Sequence, residues 1–177
     1  SGTCGTGANW SEAGTSPLDN RNDHNLLMPL SGGDVMIINR DISANDIRTK
    51  IWNGVSWSAT WTLIDGNAAE NAEYDAAMSA TIDLANNYIY LTYVADHLAL
   101  NDDDDDIRTA IYDGSAWTAM TDVQTNLIGR GILDVAIAID QNNGDVYVAY
   151  TSQDTPGNAA TGNIYYKEST DSMTSWG

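Results

Sequence analysis

The segment NDIRTKIWNG at residues 45–54 returns as DDIRTAIYDG at residues 105–114, and a weaker copy, NIYYKE, lies at residues 163–168. Ile47, Ile107 and Ile164 hold the same place in the three copies and are 60 and 57 residues apart. A repeat of this period indicates one supersecondary unit copied along the chain, because a single unit cannot bury its own apolar faces. The chain is therefore predicted to consist of stacked copies of one unit.

Each copy is predicted to hold four antiparallel strands, and no segment has a helical period. The predicted strands run over 25–30, 35–39, 47–52 and 56–63, then 75–82, 88–94, 107–112 and 116–120, then 135–139, 146–150 and 164–168. The run at 88–94 is almost entirely apolar, as expected of a strand buried on both faces. Small residues on the first strand suit the crowded centre of a β-propeller. The predicted fold class is thus all-β, with three four-stranded propeller blades.

The predicted boundaries place blade 1 at 23–63, blade 2 at 74–121 and blade 3 at 131–177, the last without its outer strand. The segment 8–18 resembles an outer strand and is predicted to complete a last blade, in this chain or in another subunit. Four tryptophans mark this register: Trp10, Trp57, Trp117 and Trp176. Three blades are too few to close a ring. Two chains joined head to tail, an open filament, or a longer propeller of which this is a piece all fit the pattern.

The chain of 177 residues is strongly acidic, with 7 Lys and Arg against 25 Asp and Glu and a net charge of −18. Such a surface repels nucleic acid and anionic membranes, so both are excluded as expected partners. No apolar run approaches the length needed for membrane insertion. Cys4 is the single cysteine, which excludes an internal disulfide. Acidity and fold type together predict an extracellular or secreted protein.

The segment STDSMTSW at 169–176 resembles the Asp-box of the sialidase-like (BNR-repeat) propellers. It keeps the residues Ser169, Asp171 and Trp176 and departs from the family at Met173, where glycine is preferred, and mildly at Ser175. Shortened relatives lie at 53–57 and 113–117. The resemblance implies a structural turn between the third and fourth strands, in which the aspartate accepts backbone N–H bonds while the tryptophan packs between blades.

Propeller geometry places the loops entering each first strand, and the loops between second and third strands, at one mouth of the central channel. Mixed cationic and acidic side chains there could bind an acidic sugar or supply acid and base groups. The candidate ligand-binding residues are Arg21, Asp23, His24, Asp75, Arg130 and Asp134. The sialidase resemblance implies three arginines that grip a substrate carboxylate, and Arg21, Arg40 and Arg130 are the candidates. No Tyr–Glu pair is identified, and salt-bridged loop residues are the favoured interpretation.

An acidic run at 101–106 supplies oxygen ligands of the kind that calcium prefers, with Asp102, Asp103 and Asp104 as the candidate metal ligands. The run lacks the pattern of an EF-hand loop, and a solvated acidic loop is favoured over a calcium site. Arg48 and Arg108 hold the same repeat position. Each is therefore expected to pair with a carboxylate of its own blade.

The favoured function is a binding or structural module that associates with itself through its N-terminal strand. A sialidase-like glycoside hydrolase and a glycan-binding lectin are the alternatives, so a glycan remains a candidate partner. No catalytic residue is assigned. An enzyme would need converging arginines with paired carboxylates, a lectin would need exposed aromatic side chains, and a scaffold would need neither.

Overall fold

A computed structural model describes residues 24–41, 44, 46–66, 77–96, 104–128, 131–153 and 162–177. Within these ranges the chain forms three antiparallel β-sheets, and one 3-10 turn at Ser31–Gly33 is the helical element. The first sheet is a meander of β1 (Asn25–Pro29), β2 (Val35–Asp41), β3 (Asp46–Trp52) and β4 (Thr62–Asp65). The all-β prediction is confirmed. No helix in the described ranges is long and apolar enough to cross a membrane.

The second sheet contains β5 (Met78–Asp83), β6 (Tyr88–Asp96), β7 (Asp104–Tyr112), β8 (Trp117–Ala119) and β9 (Gln124–Ile128). Two short strands share its outer position, because β8 pairs with the end of β7 and β9 pairs with its beginning. The sheet therefore continues beyond residue 121, where the predicted blade 2 ends. The outer position of the first sheet is also divided between two short pieces. An isolated bridge joins Trp52 to Trp57, and β4 begins later than the strand predicted over 56–63.

The third sheet has three strands within the described residues, β10 (Ile132–Ile139), β11 (Val146–Gln153) and β12 (Gly162–Ser169). The segment 8–18, predicted to be a lent outer strand, lies outside the described residues, as does Trp10. Strand lending therefore stays a prediction.

The three sheets stack face to face, with the second sheet in the middle. One apolar cluster joins the first and second sheets and includes Ile47 and Ile89, while another joins the second and third and includes Ile107 and Ile137. Successive residues of β6 point alternately into the two clusters, and 89–95 are all buried. This explains the almost entirely apolar run, since a strand covered on both faces favours apolar side chains, and the one hydroxyl of a threonine in it, that of Thr92, donates a hydrogen bond to the carbonyl oxygen of Arg108.

Equivalent turns follow the third strand of every repeat. The side-chain oxygen of Asn53 accepts hydrogen bonds from the N–H groups of Val55 and Ser56, and Asp113 repeats this arrangement in the second copy. An Asn-Gly or Asp-Gly pair at the centre of a two-residue hairpin turn would have positive φ at both residues. Here only Gly54 (φ +86°) and its counterpart Gly114 do, because the asparagine or aspartate begins the turn rather than occupying its centre.

The third turn has the contacts expected of an Asp-box. Asp171 accepts hydrogen bonds from the Ser169 hydroxyl (2.7 Å) and from the backbone N–H of Ser175 (2.9 Å). Met173, the departure from the family pattern, has a left-handed φ of +65° and yet is fully buried between the second and third sheets. Its side chain thus fills core space that a glycine would leave empty.

Candidate functional site

Charged side chains and one tyrosine gather at the end of the first two sheets where the second strand leads into the third. We call them the loop-end cluster: Arg40, Asp41, Asp46, Arg48, Asp65, Tyr93, Asp105, Asp106 and Arg108. The described arginines all belong to it. This is the end at which propeller geometry predicted the channel mouth.

Arg40 attaches the first sheet to the second. Its side chain is 2% exposed and its Nη1 donates a hydrogen bond of 2.9 Å to the carbonyl oxygen of Val94. A guanidinium buried this deeply cannot reach a ligand in solution. The proposed role of Arg40 in gripping a substrate carboxylate is therefore not supported by its position.

Arg48 makes its contacts within the first sheet. Its Nη1 lies 2.7 Å from the carboxylate of Asp41, its Nε donates to Asn39, and its guanidinium lies 4.3 Å from the ring centroid of Trp61. The expected pairing with a carboxylate of its own blade is confirmed. Burial, followed by repulsion from Asp41, raises the pKa of the neighbouring Asp46.

Arg108 occupies the equivalent position but reaches the preceding sheet. Its Nη1 lies 3.0 Å from the carboxylate of Asp65 at the end of β4, while Asp106 of its own strand lies at 3.6 Å. The hydroxyl of Tyr93 donates to the same Asp65 oxygen at 2.9 Å. Burial, together with the adjacent Asp65 charge, raises the pKa of Tyr93 well above its usual range, so this phenol stays a hydrogen-bond donor.

The last three residues of the acidic run belong to β7, and two of them, Asp105 and Asp106, are buried. Asp105 accepts a 2.6 Å hydrogen bond from the backbone N–H of Ile132 in the third sheet, and Asp106 pairs with Arg108. The interpretation of the whole run as a solvated loop is therefore wrong for these two aspartates. Asp102 and Asp103, and the side chain of Asp104, lie outside the described residues. Among those described, no group of three His, Cys, Asp or Glu could hold a metal ion.

The predicted channel-mouth residues are only partly within the described ranges. His24 is exposed immediately before β1, and Asp134 is exposed on β10, where it accepts a hydrogen bond from the N–H of Val135. The two belong to the first and third sheets, and no contact joins them in the described structure. The other four lie outside the described residues: Arg21, Asp23, Asp75 and Arg130.

Sequence reasoning missed Asp65 and Tyr93, which are central to the loop-end cluster. Neither belongs to a repeated charged position, and Asp65 lies just past the predicted fourth strand. Their contacts depend on the packing of one sheet against the next, which no local pattern reveals. The cluster chiefly fastens neighbouring sheets: Arg40 and Asp65 join the first to the second, and Asp105 joins the second to the third.

The outer face of the first sheet, on the side away from the second, carries aromatic and basic side chains. We call it the basic outer face: Leu27, Arg48, Lys50, Trp52, Trp57, Trp61 and Leu63. Ile37, Asn39 and Asp41 of β2 lie on the same side and are buried, and Asp41 there pairs with Arg48. The Lys50 Nζ lies 5.0 Å from the Trp61 ring centroid, and Trp52 packs against Trp57. Leu27 and Leu63 are 65% and 55% exposed.

The outer face of the third sheet is acidic and apolar. This acidic outer face consists of Asp134, Ala136, Ala138, Tyr147, Ala149, Ile164, Tyr166 and Glu168, which the strand register places on one side of the sheet. Ile164 and Tyr166 are 79% and 73% exposed. Glu168 accepts a hydrogen bond from the Tyr147 hydroxyl, and the described residues of this face include no cation.

The solved structures that are similar to this chain include several glycosidases. A Hadza microbial sialidase superposes with a TM-score of 0.56 at 11% identity, covering 86% of this chain and 36% of its own. The Penicillium chrysogenum α-L-arabinanase, solved with arabinobiose, gives 0.55 at 14% identity over 85% of this chain and 46% of its own. The NanB sialidase from Streptococcus pneumoniae gives 0.51 at 13% identity over 88% and 24%.

These similarities show a sialidase-like, β-propeller-type fold. At such low identity they establish the fold alone, and the chain spans less than half the length of each of these structures. No protein-family model matches the sequence, and no curated protein is significantly similar to it.

Proposed function

We propose that the chain is an assembly module whose two outer sheet faces take further blades, supplied by a second copy of the same chain. One observation carries the proposal. Ile47 and Ile107 are 0% exposed because the next sheet covers them, whereas Ile164, at the same repeat position, is 79% exposed. The third sheet thus presents a blade-contact residue with no blade upon it in the described structure.

The exposed apolar groups favour association. Burying one isoleucine fully is worth about 1.5–3 kcal/mol, and Tyr166 adds a second large side chain on the same face. Contiguous exposed apolar surface on a soluble protein usually marks a contact with another molecule. The outer face of the first sheet also has two leucines more than half exposed, Leu27 and Leu63, on the opposite edge strands β1 and β4.

The test is the mass of the chain in dilute solution, measured by sedimentation velocity and light scattering against the monomer mass of 19.1 kDa. Species larger than the monomer are expected, and Ile164→Asp should shift them toward monomer. Leu84→Asp is the matched control, because Leu84 is 72% exposed in a turn away from both outer faces. A folded protein that is monomeric at every concentration would rule out assembly and favour further blades in one longer chain.

A glycan-related function is the second candidate, and the glycosidase fold favours it. The described arginines lie at the end of the sheets predicted to surround the channel mouth, although their contacts are with neighbouring carboxylates and backbone. Release of fluorophore from a fluorogenic sialoside or arabinofuranoside would support a hydrolase. Binding without turnover would support a lectin. If neither hydrolysis nor binding is detected at millimolar sugar, only the assembly proposal remains. We also propose, together with the glycan-related function, that the protein is extracellular.

A further inference from the structure

We infer that the assembly is directional: the basic outer face of one copy packs against the acidic outer face of the next. This inference rests on the proposed function and specifies which surfaces meet. It follows from the two internal sheet contacts, because they show which side of each repeat faces the preceding blade and which faces the following one.

The basic outer face holds the residues that face a preceding blade. Tyr112 and Trp117 hold the repeat positions of Trp52 and Trp57, and both pack in the cluster between the second sheet and the first. Trp176 likewise packs against the cluster between the third sheet and the second. The Trp52–Trp57 pair therefore lies where a preceding blade would sit.

Two cations of the basic outer face have counterparts that reach across to the preceding sheet. Arg108, the counterpart of Arg48, pairs with Asp65 of the first sheet. Lys167, the counterpart of Lys50, donates a 2.7 Å hydrogen bond to the carbonyl oxygen of Val123 beside the second sheet. Both internal contacts thus use a basic residue of the following blade to bind an oxygen atom of the blade before it.

The acidic outer face holds the residues that face a following blade. Ile47 and Ile107 occupy this side in the first two sheets, and Ile164 occupies it in the third. Asp134 and Glu168 supply carboxylates on that face, opposite in charge to Lys50. Contact between two acidic faces would place carboxylates together without a cation from the described residues, whereas the head-to-tail contact pairs opposite charges.

A heterologous contact of this kind makes a closed ring if the rotation per copy completes a circle and a filament if it does not. Two copies would supply six sheets, within the range of about four to eight blades that propellers use. In a ring, and within a filament, each copy uses both of its outer faces.

Two variants, each blocked on one face, test the direction. Ile164→Asp with Tyr166→Asp blocks the acidic face, and Leu27→Asp with Leu63→Asp blocks the basic face. All four side chains are more than half exposed, so folding should persist, and circular dichroism melts check this. Each variant alone should be monomeric, and an equimolar mixture should form a one-to-one dimer that grows no further.

Dimers of either variant alone would overturn the inference, because they require two like faces to meet. Failure of the mixture to associate, when the unmodified chain does, would overturn it as well. A monomeric unmodified chain would instead overturn the proposed function. Lys50→Glu in the partner with the open basic face should weaken the mixed dimer by about twofold to fivefold, an effect that salt reduces.

Discussion

Ile107 and Ile164 hold the same position in successive repeats, yet the first is fully buried and the second is 79% exposed. Both lie on the third strand of a sheet and have the same register with the second strand. Two neighbours make the difference: β8 and β9 flank β7 and a following sheet covers it, whereas β12 has neither a fourth strand nor a following sheet within the described residues. In a stack of sheets, the burial of a side chain depends on the strands and sheets that cover it as well as on the residue type.

The largest effect that tests this comparison is expected at the covered position. Ile107→Ala should lower the free energy of unfolding by about 3 kcal/mol, since it removes buried methyl groups and leaves a cavity between the second and third sheets. Ile164→Ala should change the unfolding of the monomer by less than about 0.5 kcal/mol. Urea denaturation at low protein concentration measures both. Equal losses would mean that Ile164 is covered in solution.

The turns that follow the third strands offer a second comparison. Met173→Gly would relieve a left-handed φ that Gly54 and Gly114 adopt without strain, a gain of about 1 kcal/mol. It would also remove a fully buried side chain worth about 2–3 kcal/mol. A net loss of about 1–2 kcal/mol is expected by thermal denaturation. Ser172→Gly is the comparison at the exposed neighbouring position, where relief of strain is offset only by loss of the hydrogen bond between Ser172 and Tyr90. A stabilised Met173→Gly protein would show that strain dominates this turn.

The contact between sheets through Asp65 predicts a smaller effect. Tyr93→Phe removes the hydrogen bond from a buried hydroxyl and should cost about 1 kcal/mol, measured by chemical denaturation. Tyr166→Phe is the control, because its hydroxyl is on the exposed acidic outer face. Identical stability of the two variants would mean that Arg108 alone satisfies Asp65.

Acid should reveal the contribution of Asp171 in the third turn to stability. Hydrogen bonds from the Ser175 hydroxyl first, and then from Thr174 and Ser169, hold the pKa of Asp171 below its usual range. A lowered folded-state pKa adds stability above the unfolded value of about 4, and this contribution is lost as pH falls through the folded value. Asp171→Asn should therefore flatten the fall in melting temperature below pH 4. An unchanged acid limb would contradict the pKa shift.

The repeat made the sheets predictable from sequence. The copied Ile-Arg-Thr segment predicted β3 and β7, and the apolar run at 88–94 predicted a strand covered on both faces. Both signals are local, so the sequence alone carries them. The turn residues Asn53, Asp113 and Asp171 were recognisable for the same reason.

The features that escaped prediction depend on contacts between sheets. The strand β9 was missed because its pairing is only possible beside the beginning of β7, which itself starts earlier than the repeat suggested. Asp105 and Asp106 belong to a charge run that is typical of a solvated loop, yet both are buried: Asp105 accepts a hydrogen bond from Ile132 of the third sheet, and Asp106 pairs with Arg108 of its own strand. The cluster around Asp65 likewise joins residues 28 and 43 positions apart in sequence.

The basic residues that reach back to the preceding sheet have an evolutionary consequence. Arg108 and Lys167 each lie on the third strand of a repeat and bind an oxygen atom of the blade before it. The two residues hold different repeat positions, since Tyr165 stands where Arg108 does and Ala110 stands where Lys167 does. A duplicated repeat would therefore bring the strand of residues 45–54 or 105–114 with it, but it would hold the preceding sheet only if it also kept a basic residue at one of these two positions.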